Sequence, residues 1–242
     1  KEGEKEKIMN NIENFFSEDT RNTYLSFGIP YKSVWLLHGP PGTGKTTTIK
    51  AISSELDCDL FILPIIKDML DGDFVSAFSY INEQGSNKRI IVIEDIDTFF
   101  DDRKDGDKNN GITLQAFLNC LDGFTCIEGT VLFLTANKPE VLDDAFIRSC
   151  RIDNKAKLDY ADKYQTKQMV ETFLPNQIDK FENFYSQIYH KKYTTACLQE
   201  LLFYNRDSNN LLDLIDEFNE ILNKNNSNKF EEIKEETGNF YS

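Results

Sequence analysis

Ser33-Val34-Trp35-Leu36-Leu37-His38, then Gly39-Pro40-Pro41-Gly42-Thr43-Gly44-Lys45-Thr46, then a helical pattern to about residue 56, is the stretch that decides the fold. The apolar run suits a strand buried on both faces of a sheet. The eight residues after it match the pattern GxxxxGK[ST]. At average Gly usage such a match arises by chance in about one chain in a hundred. Here it sits between a strand and a helix, which is the context the pattern requires. Glycines let backbone N–H groups converge on a compact polyphosphate, because Gly accepts the dihedrals and leaves room. The positive N-terminal end of the next helix adds to the attraction. On this reading Gly39, Pro40, Pro41, Gly42, Thr43 and Gly44 form the cradle, with Thr47 in the turn that follows. Lys45 reaches the β- and γ-phosphates and the Thr46 hydroxyl ligates Mg²⁺.

Outward from this loop, strand and helix patterns alternate. Residues 58–64 (CDLFILP) read as a second buried strand, and 89–93 (RIIVI) as a third. Between them Phe74, Ala77, Phe78 and Ile81 recur at helical spacing over 73–83. Residues 99–111 read as a charged loop, 112–121 as a helix stopped by Gly123, 129–136 (GTVLFLTA) as a fourth strand, and 152–158 as a short fifth. Upstream, 2–16 is an amphipathic helix with Ile8, Ile12, Phe15 and Phe16 near one face, and 17–30 is a polar connector. This alternation predicts an α/β fold with a parallel sheet covered on both faces. After Asp159 only helical periodicity remains, at about 161–174, 177–189, 194–204 and 209–223. A small helical domain at 160–224 and a polar tail at 225–242 follow from that change.

Composition removes several classes of function. The 242 residues carry 27 Lys+Arg against 41 Asp+Glu, a net charge of −14. Such a surface repels phosphate backbones and anionic headgroups, so no direct nucleic-acid binding is expected. No apolar run has the length that spans a bilayer, and no signal peptide is visible. The chain opens at Lys1 rather than Met, which leaves room for an upstream anchor or targeting segment. The five cysteines are odd in number and form no CxxC, so reduced thiols in a reducing intracellular compartment are expected. His38 and His190 stand far apart, without the clustering a metal site needs.

Three further groups carry chemistry. Glu94, Asp95 and Asp97 follow the third strand, with Glu94 49 residues after Lys45. Carboxylates there can hold hydrated Mg²⁺ and polarise an attacking water; an ordinary acidic turn is the competing reading. Asn137 ends the fourth strand, placed to orient the lytic water or contact a γ-phosphate, although an Asn before Lys138-Pro139 also suits a turn. Arg148 and Arg151 form a pair in a chain with only six arginines. Arginine presents a planar fork suited to phosphate, while surface ion pairs are the alternative.

Taken in this order, these elements resemble an AAA-type ATPase, identified by its P-loop NTPase sheet and small all-helical C-terminal lid. Gly28-Ile29-Pro30-Tyr31, the run Glu94-Asp95-Ile96-Asp97, residues 142–153 (LDDAFIRSCRID) and 193–204 (YTTACLQELLFY) look like the Bcs-type branch. That branch includes the mitochondrial translocase of the Rieske iron–sulfur protein. The resemblance implies ATP and Mg²⁺ as cofactors, Glu94 on the metal, Asp95 on the water and Asn137 as sensor. It also implies Arg148 and Arg151 acting on a neighbour's nucleotide within a homo-oligomeric ring, a heptamer or hexamer, with a protein client. Most AAA proteins carry Asp then Glu at the strand end; here the order is reversed, so the two carboxylates can share or exchange roles. Ser149-Cys150 replaces the usual Pro-Gly between the arginines, and residues 67–73 show no aromatic–Gly pore motif. A nucleic-acid motor of the same superfamily and a switch without turnover are the competing readings; the charge argues against the first.

Overall fold

The computed structural model describes residues 3–66, 69–84, 88–98, 111–122, 128–142 and 152–227. The chain divides into two compact units, residues 1–159 and 160–242.

The first unit is built on five parallel strands: β1 (Lys32–His38), β2 (Asp59–Leu63), β3 (Arg89–Ile93), β4 (Thr130–Ala136) and β5 (Asn154–Lys157). Their order across the sheet is β2-β3-β4-β1-β5. Alternation sends successive side chains to opposite faces. Val34, Leu36, Ile91, Ile93, Leu132 and Leu134 pack against α4 (Asp71–Gln84) and α5 (Leu114–Asp122). There the Phe74 and Phe117 rings stack with centroids 5.6 Å apart. Trp35, Leu37, Ile90, Val92, Val131 and Phe133 face the other way, onto α1 (Glu4–Phe15) and α3 (Lys45–Glu55). Burying each side chain of this size contributes about 1.5–3 kcal/mol. The expected α/β class, a parallel sheet with helices on both faces, is the observed one.

Two local expectations are corrected. Residues 17–30 are not a plain connector, because Glu18–Phe27 form helix α2. Its signals are at the ends: the Ser17 side chain accepts from Thr20 N–H, and Gly28 closes the helix at φ 63°. No α2 residue is buried, so no apolar stripe announces it. The strand expected at 58–64 is not buried either. β2 lies at the sheet edge, where only Leu63 is buried and Ile62 is 42% exposed.

Every secondary-structure element among the described residues of the second unit is helical. The unit contains α6 (Lys163–Phe173), α7 (Phe181–Ile188), α8 (Thr195–Tyr204) and α9 (Ile215–Ser227). Short 3-10 turns at Pro175–Lys180 and Leu211–Leu214 precede α7 and α9. Asp162 and Gln165 form a capping box at the start of α6. Phe181, Phe184, Ile188, Leu198, Leu201 and Phe218 lie in its core. Tyr193 shares a 2.9 Å hydrogen bond with Thr166, and burial pushes its phenol up to about 12.

Candidate nucleotide-binding site

The strands of the first unit are parallel, so their carboxyl ends lie along one edge of the sheet, the usual ligand position in open α/β sheets. The loop between β1 and α3 lies at that edge. Gly39 has φ 144°, and a Cβ there would sit 1.8 Å from the Leu158 carbonyl oxygen. Only glycine fits. The Gly39 N–H donates to the Ala136 carbonyl at 3.1 Å, which ties the loop to the end of β4. The Thr43 hydroxyl donates to the Pro40 carbonyl at 2.9 Å. Gly42 (φ 78°) and Gly44 (φ 88°) bend the chain into α3. Gly44 is the N-cap of α3 and brings no side-chain oxygen to the helix start. Pro41 and Gly42 are exposed, and so is Thr47 in the first turn of α3.

Lys45 is buried, yet its ammonium is fully engaged. It donates to the Gly39 carbonyl at 2.8 Å, the Pro40 carbonyl at 3.2 Å and Asn137 Oδ1 at 2.7 Å. These three partners match the three donors of an ammonium. Burial holds Lys45 below the usual lysine range; the negative charges of Asp95 and Asp97 oppose that shift.

The acids after β3 take distinct positions. Glu94 Oε1 accepts from the Thr46 hydroxyl. Asp95 adopts φ 50°, a left-handed conformation that Asp tolerates better than most residues. Its N–H donates to Thr135 Oγ1 at 3.0 Å, and its Oδ1 accepts from Asn137 Nδ2 at 2.9 Å. Lost hydration, then the nearby Asp97, raise the Asp95 carboxyl above its ordinary value; Lys45 works in the opposite direction. The structure therefore brings Lys45, Asn137 and Asp95 into one hydrogen-bonded chain beside the Thr46–Glu94 pair. A hydroxyl and a carboxylate oxygen in contact form a hard, oxygen-only donor set that fits Mg²⁺. Among the described residues no cluster of three or more His, Cys, Asp or Glu forms a metal site of its own. A magnesium here would therefore depend on the phosphates for part of its coordination, as is usual for that ion. Arg148 and Arg151 lie outside the described residues.

Two residues of this network carry no individual role in the sequence reading. Thr135 and Asp97 cross-link the ends of β4 and β3: Thr135 accepts from Asp95 N–H, and Asp97 accepts from the Asn137 and Lys138 N–H groups. Their signal was a polar residue beside an apolar run. Who bonds whom depends on the register, in which Ile93 stands opposite Leu134.

The family model described as "ATPase family associated with various cellular activities (AAA)" matches residues 35–160. That span begins in β1, contains the P-loop and the strand-end acids, and ends after β5. The chain belongs to the AAA family. Within the family it is of the Bcs type. It is 36% identical over 177 residues to the probable mitochondrial chaperone BCS1-A of Dictyostelium discoideum, covering 70% of this chain and 41% of that protein. It is 30% identical over 210 residues to the probable mitochondrial chaperone bcs1 of Schizosaccharomyces pombe, covering 83% and 46%. With the mitochondrial chaperone BCS1 of Homo sapiens it shares 31% over 191 residues, or 76% and 44%. The chain thus spans about half the length of these curated relatives. It is an ATP-binding AAA module. No helix among its described residues is long and apolar enough to cross a membrane.

Proposed function

We propose that this AAA module hydrolyses ATP with Mg²⁺, as one subunit of a homo-oligomeric ring of six or seven copies that moves or remodels a protein client. The observation that carries the hydrolytic part is the Lys45–Asn137–Asp95 chain beside the Thr46–Glu94 pair. Lys45 exchanges its loop carbonyls for β- and γ-phosphate oxygens, while the N-terminus of α3 faces the phosphates. Thr46 and Glu94 are the residues that would hold Mg²⁺. When bound there, Mg²⁺ would supply positive charge that offsets the charge developing on the phosphates. Asp95 accepts a hydrogen bond from the attacking water, and its raised carboxyl suits it to take the proton. Asn137, held between a cation and a carboxylate, orients that water or contacts the γ-phosphate.

In this reading residues 1–159 are the large α/β ATPase domain, 160–224 the helical lid and 225–242 a polar tail. Arg148 and Arg151 act as fingers on a neighbouring subunit's nucleotide. The relatives' names supply the chaperone role and a mitochondrial setting. The test is ATP turnover by the intact chain against protein concentration. Specific activity should rise with concentration and exceed about one turnover per minute. Mixing Arg148→Ala with Lys45→Ala protein should restore activity that neither has alone. Turnover by a monomer without complementation would contradict the ring, and no turnover at any concentration would leave a nucleotide-binding switch.

A further inference from the structure

Asp97 takes no part in the proposed hydrolysis, yet among the described residues it is the most deeply buried carboxylate beside the site, at 3% exposure. Carboxylates leave water only when something replaces their hydration. Here the replacement is two backbone donors on the adjacent strand end. Asp97 Oδ2 accepts from Asn137 N–H at 3.1 Å and from Lys138 N–H at 2.8 Å. Asp97 Oδ1 has no hydrogen-bond partner among the described residues. The carboxylate is thus committed to one backbone turn rather than to an ion pair.

That turn is where the Asn137 carboxamide originates. Asn137 Oδ1 accepts from Lys45, and its Nδ2 donates to Asp95. Both contacts are short, at 2.7 and 2.9 Å, so a shift of the turn stretches one or the other. The matching bond from Asp95 N–H to Thr135 Oγ1 runs in the opposite direction between the same two strand ends. β3 and β4 are therefore tied by side chain to backbone on each side, just past their last ladder pair.

We infer that Asp97 is a positioning residue: its carboxylate clamps the turn after β4 and thereby sets the Asn137 carboxamide between Lys45 and Asp95. The inference rests on the proposed role of Asn137 in hydrolysis. Asp97 acts through Asn137, so its effects should fall on the chemical step and not on nucleotide affinity.

Five variants of the full chain test this. Asp97→Ala removes the clamp, and about a tenfold or greater loss of kcat is expected, since small misplacements near chemistry cost up to about a hundredfold. The Kd for ATPγS should stay within about threefold, the mark of a group used after binding. Asp97→Asn keeps an oxygen that can take both N–H groups, because both bonds use one oxygen, and should recover most of kcat. Asp97→Glu keeps charge and acceptor but moves the turn by a methylene. It should reproduce the kcat-only loss, and it decides the question if Asp97→Ala does not fold. Asn137→Ala combined with Asp97→Ala should be no slower than Asn137→Ala alone, since residues acting through one group are not additive.

A readout without turnover separates this inference from the hydrolytic reading. The Asn137 side-chain amide signal should move on adding Mg²⁺ and ATPγS to the parent protein. In Asp97→Ala it should not respond, while the Gly44 amide still does. Multiplying kcat losses in the double variant, a parent-like Asn137 response in Asp97→Ala, or parallel loss of Kd and kcat would overturn the positioning role. If the parent never hydrolyses ATP, the proposed function falls, and the amide response still decides Asp97.

Discussion

The helices of this chain begin in two different ways. α2, α6 and α8 start behind Ser17, Asp162 and Thr194, whose side-chain oxygens accept from N–H groups of the first turn. α1 starts behind Gly3 but carries Glu4 and Glu6 in its first turn, which complement the positive end of the helix. α3 has neither device. Gly44 supplies no capping oxygen, the first turn holds no acid, and the first residue is a buried Lys. By the rules that govern the other helices this is a poor start. It becomes a good one when an anion supplies the missing acceptor and charge. Stability and ligand binding thus draw on the same four N–H groups, and among the described α-helices only α3 leaves them to a ligand.

That contrast can be broken from either side. The largest effect should come from Lys45→Ala, which removes the loop's only side-chain cation. Its affinity for ATP should fall by about a hundredfold or more, as expected when a charged phosphate partner worth about 3 kcal/mol is lost. Calorimetry showing equal affinity for variant and parent would remove the P-loop assignment. The smaller effect lies at the capped starts. Asp162→Ala should destabilise the second unit by about 1 kcal/mol. Chemical unfolding measures that loss, and ATP affinity in the same protein should be unchanged. A cap variant that weakened ATP binding as much as Lys45→Ala would erase the distinction.

Much of the fold was legible because burial and periodicity agree in the interior. The strand at Arg89–Ile93 could be read to its ends, since an unbroken run of branched aliphatic residues suits only a buried strand. Legibility failed where burial is weak. α2 has end signals but no apolar face, so Ser17 and Gly28 read as connector residues. The run at β2 looks like an interior strand, but hydrophobicity alone does not say which strand lies at the sheet edge. The candidate site divides in the same way. Lys45, Thr46, Glu94, Asp95 and Asn137 stand out by type and spacing. The roles of Asp97 and Thr135 do not, because they lie in bonds across the register of two strands that are 40 residues apart in the chain.

The central claim is that Asp95 serves the chemical step while the uncapped start of α3, with Lys45, serves binding. Asp95→Asn tests it most directly, since the amide keeps the size of the side chain and removes the charge that polarises water. ATP should bind the variant with nearly parental affinity in the presence of Mg²⁺. A single-turnover experiment should then recover the bound nucleotide as intact ATP, with the rate lowered by about a hundredfold or more. Normal turnover by Asp95→Asn, with Glu94→Gln inactive, would contradict the account and assign the water to Glu94.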